Sequence, residues 1–215
     1  MPPNTLDASQ VIATVLDRYE PYLPIGLAPK VRTLNPARIF QILPEAEYRP
    51  HFDRYFRSFF AAINTQAFGT KRMLGLAWAP DNVCGAFNCP AFCAPAVNVE
   101  DRHIYINRDI QGLNVATLYH EFIHYLSHPS FYPEYYALGG DNPKILEGVT
   151  EYLTRGVRAD IGAARAADGK YQTWLDMVTD SIGAGANTER HLARLAFLGD
   201  LSVVDIVGGV RPQIQ

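Results

Sequence analysis

The stretch "LYHEFIHYL", residues 118 to 126, sets His120, Glu121 and His124 inside one short apolar run. Around it Val115, Leu118, Phe122 and Leu126 recur at spacings of three and four, which predicts an amphipathic helix with that stripe in the core and Asn114 as its N-cap. His120 and His124 fall on another face, one turn apart. Their Cβ atoms are then about 5 to 6 Å apart, so both imidazoles can reach one ion at about 2.0 to 2.1 Å. Glu121, one residue on from His120, is angled toward a water on that ion rather than the ion itself. The alternative is a pair of satisfied core histidines beside a solvated Glu. With 6 His and 9 Glu in 215 residues, however, the chance expectation of this spacing is about 0.007. His128 continues the i+4 series, but eight residues carry it about 12 Å along the axis from His120, too far to share the ion. It is expected at the rim or behind the ligands, with Pro129 stopping the helix directly after it.

A metal site that does chemistry takes three protein ligands and leaves one position open, so a third donor is needed. After a segment marked by Pro129, Pro133, Gly139 and Gly140 comes "DNPKILEGVTEYLTRGV", with Asn142 as N-cap, Pro143 at the first helical position and a stripe of Ile145, Leu146, Val149 and Leu153. Glu147 and Glu151 lie four apart on one face of this second helix. The spacing lets Glu147 reach the ion while Glu151 accepts a hydrogen bond from the far nitrogen of a ligating His. A solvated acidic face is the other reading, although like charges at i,i+4 are mildly unfavourable without a cation nearby.

Outward from these helices, residues 6 to 20 place Leu6, Val11, Ile12, Val15 and Leu16 at helical spacing with Asp7 or Ser9 as N-cap. A proline-broken region follows to about residue 50, and "HFDRYFRSFFAAIN" then carries aromatics at helical spacing. Two β-like runs come next, "RMLGLAWA" and "RHIYIN", the latter alternating Ile104 and Ile106 against His103, Tyr105 and Asn107. The segment "AVNVEDRHIYIN" can itself form a hairpin turning at Glu100 and Asp101, giving a small antiparallel or mixed sheet. Beyond residue 112 the pattern is helical almost to the end. Cys84, Cys89 and Cys93 cannot all pair within one chain; free thiols in a packed loop, one local disulfide, and metal binding all stay open for them.

The chain is 48% hydrophobic and 19% charged, enough apolar material for one compact unit, with a net charge of -3 that gives no reason to expect a nucleic-acid partner. No run approaches the roughly 18 apolar residues of a membrane span, and no standard secretory signal is visible. The expectation is a soluble protein, either cytoplasmic or exported by a specialised machine.

"HEFIH" followed by "EGVTEYLT" resembles the gluzincin branch of the zincin metallopeptidases. The resemblance implies that one zinc is bound by His120, His124 and Glu147, that Glu121 is the general base and that Glu151 is the supporting acid. It implies an α+β, zincin-like fold in a single catalytic domain over 1–215: an N-terminal subdomain, 1–128, with the sheet and the first metal helix, and a mostly helical C-terminal subdomain, 129–215. The chain is also similar to small metallopeptidase domains of bacterial toxins and effectors, including the tail "RHLARLAFLGDLSVVDIVGG".

The implied activity is hydrolysis of a protein or peptide, with the strand His103, Ile104, Tyr105, Ile106 as the edge that pairs with an extended substrate. The developing oxyanion needs a further donor. Tyr171 is the first candidate and His191 the second, followed by Tyr132, Tyr135 and Tyr136; each can equally be a packed or solvated residue. Two other functions keep the same ligands: a zinc-stabilised binding module without turnover, and a zinc amidase acting on a cell-wall linkage.

Overall fold

The computed structural model describes residues 7–64, 91–94, 96–110, 115–129, 131, 142–160, 172, 175–176, 178–180 and 187–200. Over these the fold is mixed α+β, mostly helical, with one small sheet. Helix α1 spans Ala8–Tyr19. Asp7 caps it, its carboxylate accepting from the Ser9 and Gln10 backbone N–H groups at 3.0 and 3.2 Å. The stripe Val11, Ile12, Val15, Leu16 and Tyr19 is buried, as its spacing predicts.

Two short helices follow, α2 (Leu27–Thr33) and α3 (Pro36–Ile39), and α3 runs directly into strand β1, Phe40–Leu43. Helix α4 spans Glu45–Asn64 and so begins six residues before the predicted start. Pro50 lies inside it, and an interior proline costs about 3 kcal/mol. Burial of Tyr48 and Phe52 on either side of Pro50 offsets that loss. The helix start is further fixed by Glu45, whose N–H donates to Asp109 Oδ2 at 2.8 Å and whose carboxylate receives Asn107 and Arg49.

Strands β2 (Ala91–Ala94) and β3 (His103–Asn107) complete a mixed sheet of order β1-β3-β2. β1 runs parallel to β3, with Phe40 opposite Ile104, and β2 runs antiparallel to it, with Cys93 opposite Ile104. The alternation read in β3 separates two environments. Ile104 and Ile106 enter the main core, while Tyr105 joins Tyr48, Phe52 and Phe92 in an aromatic cluster on the opposite face, beneath α4.

Two strand expectations need correcting. The antiparallel partner of β3 is 91–94 and not 96–99, where Val99 opens a 3-10 turn and Val97 is 79% exposed. β3 is also not an edge. Its N–H and C=O groups are shared with β1 on one side and β2 on the other, so His103, Ile104, Tyr105 and Ile106 have no free ladder to offer a substrate. The run "RMLGLAWA" lies outside the described residues.

Helix α5, Val115–Leu126, packs on the Ile104 and Ile106 face of the sheet and against α1 and β2; its other side meets helix α6, Asn142–Asp160. α5 stops two residues short of the predicted end. The guanidinium of Arg102 donates to the carbonyls of Tyr125 and Ser127, and the His128 N–H goes to Ala196 O at 2.8 Å. Helix α7, Thr188–Leu198, covers α6, and Arg18 of α1 grips its Glu189 in a two-pronged pair at 3.0 and 2.8 Å. One continuous apolar core runs from Val11 through Leu146 and Val149 to Phe197. Among the described residues no helix is long and apolar enough to cross a membrane.

Candidate metal centre

The two histidines of α5 are buried, at 4% and 5% exposure, on the side that faces α6. A buried imidazole is costly unless its nitrogens find partners. His120 Nε2 lies 2.9 Å from Glu147 Oε2, His124 Nε2 lies 3.1 Å from His120 Nε2, and His124 Nε2 lies 3.6 Å from Glu147 Oε2. These three donors form a metal-competent group. A tetrahedral ion with bonds of about 2.0 to 2.1 Å needs ligand atoms about 3.3 Å apart, and the triangle of 2.9, 3.1 and 3.6 Å brackets that spacing. Two nitrogens and a carboxylate oxygen are also the donor set zinc takes.

The outer nitrogens point the other way. His120 Nδ1 faces Glu151 Oε2 at 3.5 Å, and His124 Nδ1 faces the Thr150 hydroxyl at 3.4 Å. Once deprotonated at Nε2, both imidazoles would present a lone pair inside the triangle beside the Glu147 carboxylate. The Glu147 side chain is 28% exposed, so the group opens to solvent on that side, whereas the Glu151 side chain is 0% exposed.

The charges follow from this arrangement. Burial pulls the His120 imidazolium down, but the carboxylates of Glu147 and Glu151 override it and push its pKa up to about 10. Burial raises the Glu147 carboxyl, and the nearby His124 and His120 override that, holding it well below the usual carboxylate range. Glu151 is likewise lowered: His120 and Arg155 outweigh its burial. Glu121 moves the opposite way. Burial raises it, and His124, His120 and a hydrogen bond from the Cys93 backbone N–H only partly compensate.

The sequence-derived ligands His120, His124 and Glu147 thus meet, with Glu151 behind them. Glu121 is partly exposed next to His120. Thr150 was not foreseen; its only sequence signal is a hydroxyl three residues after Glu147 on the inward face of α6. Arg155 was also missed. Its Nε donates to Glu151 Oε1 at 2.9 Å, the i,i+4 partner of an acid already singled out. His128 lines a cleft of about 240 Å³ with Pro24, Leu27, Pro129 and Phe197, whose walls include none of His120, His124 and Glu147. His191 is half-buried on α7 and takes no part in the metal-competent group. Cys93 is a buried free thiol in β2, with its pKa pushed up by burial. Tyr171, Tyr132, Tyr135, Tyr136, Cys84 and Cys89 lie outside the described residues.

No protein-family model, curated protein or solved structure matches the chain. The chemistry of the site therefore rests on its own residues.

Proposed function

We propose that the chain is a zinc-dependent metallopeptidase of the zincin type, with His120, His124 and Glu147 as ligands and Glu121 as general base. The observation that carries the reading is the convergence of two Nε2 atoms and one carboxylate oxygen within 3.6 Å, with the Thr150 hydroxyl 3.4 Å from His124 Nδ1 and the Glu151 carboxylate 3.5 Å from His120 Nδ1.

Zinc held there supplies Lewis acidity and brings the pKa of a water to about 7. Glu121 takes the proton of the attacking water on its carboxylate and delivers it to the nitrogen of the leaving amine. Burial raises the pKa of Glu121, which makes its carboxylate a stronger base than a solvated one. The Cys93 N–H orients that carboxylate, so β2 runs along the site.

The test is a Glu121→Gln variant incubated with a mixed peptide library and read by mass spectrometry. The variant keeps one zinc and loses hydrolysis by about 10²- to 10⁴-fold. Undiminished cleavage by that variant removes Glu121 as the base.

A further inference from the structure

Behind the ligands runs a line of side chains that reaches the surface. Glu151 Oε2 faces His120 Nδ1 at 3.5 Å, and its other oxygen, Oε1, accepts from Arg155 Nε at 2.9 Å. Arg155 Nη1 donates to Gln172 Oε1 at 2.8 Å, and Gln172 Nε2 donates to the exposed Asp176 at 2.5 Å. The line starts on α5, crosses α6 and ends outside both, on the segment carrying Gln172 and Asp176.

An exposed i,i+4 acid–base pair on a helix contributes little and fixes little. Glu151 and Arg155 are not that case. The Glu151 side chain is fully buried, with one oxygen accepting from a guanidinium and the other 3.5 Å from His120 Nδ1, close enough for a small ring rotation to close the bond. A carboxylate can rotate about its last bond, and an imidazole can follow it. The planar guanidinium of Arg155 is itself held at Nη1, so it pins Oε1 in one direction and leaves Oε2 directed at His120.

We propose that Arg155 is a positioning residue of the metal centre: through Glu151 it sets the orientation of the His120 ring, and Gln172 in turn sets Arg155. The inference rests on the metal-binding reading above. Partners of this kind are worth about 10- to 100-fold in metal affinity.

The experiment compares the full chain with Arg155→Gln, Arg155→Lys and Gln172→Ala. Zinc affinity is measured by competition with a chromophoric chelator, and the ligand field by the visible absorption of the cobalt(II)-loaded protein. Arg155→Gln weakens zinc by about tenfold or more and shifts the cobalt bands. Arg155→Lys restores part of both, and Gln172→Ala gives a smaller change in the same direction. A folded Arg155→Gln protein with the parent's affinity and spectrum overturns the proposal while leaving the metal centre standing. If Arg155→Gln does not fold, Gln172→Ala decides, and parent-like values there overturn it equally. A parent chain that takes up neither zinc nor cobalt removes the metal centre and this inference together.

Discussion

The Thr150 hydroxyl lies 3.4 Å from His124 Nδ1, on the same helix that presents Glu147 one turn earlier. One helix therefore carries the proposed carboxylate ligand and the oxygens nearest both outer nitrogens, since Glu151 lies 3.5 Å from His120 Nδ1 at the next position. Replacing Thr150 by Val keeps the shape and removes the acceptor. The expected result is a zinc affinity lower by about tenfold, with the melting temperature changed by only a few degrees. Chelator competition and a melting curve on the same sample check both halves.

The pH dependence has two opposite signs. In the metal-free protein His120 holds its proton up to about pH 10, and a ligand must lose that proton to bind. Zinc affinity is expected to rise by up to tenfold per pH unit as pH climbs toward 10. Stability of the metal-free protein runs the other way. A folded pKa above the unfolded value of about 6.5 means that the interactions of the imidazolium with Glu147 and Glu151 stabilise fully below pH 6.5 and are lost as pH rises through about 10. Thermal melts of chelator-treated protein across this range, with His120→Gln as the control that flattens the slope, test the sign.

Gly156 predicts a packing defect away from the site. A Cβ built there meets the Tyr19 hydroxyl oxygen at 2.8 Å and Glu189 Oε1 at 3.2 Å. Neither neighbour yields easily, because Tyr19 is buried and donates to Leu153 O at 2.6 Å, and Glu189 is gripped by Arg18. Gly156→Ala is expected to destabilise by about 1 to 3 kcal/mol, as overpacking does. Denaturant unfolding measures this, and adding Tyr19→Phe, which removes the contacted oxygen, should recover part of the loss.

The parts of this molecule legible in its sequence are those written in local periodicity. α1 and α6 each bury a stripe spaced by three and four, whereas α5 buries Leu118, Phe122 and Leu126 of its stripe, leaves Val115 exposed and is buried on its other faces too, His120 and His124 among them. What escaped notice was non-local. β1, "FQIL", is four residues between Pro36 and Pro44, and it becomes a strand only by pairing with β3 some sixty residues later. β2, "AFCA", has no alternation because Ala91, Phe92 and Cys93 are all buried, whereas Val97 and Val99 alternate in sequence and form no strand. Thr150 and Arg155 carry no motif of their own. Their roles arise from which atoms of α5 they meet across the helix pair.

The central claim is that three side chains from two helices hold one ion. Zinc titration of the metal-free chain, with stoichiometry and affinity read together for the parent, His120→Ala and Glu147→Ala, tests it most directly. The account predicts one tightly held zinc per chain in the parent and a loss of at least a hundredfold in affinity for each variant. A parent that binds no zinc, or a Glu147→Ala protein that holds zinc as tightly as the parent, contradicts it.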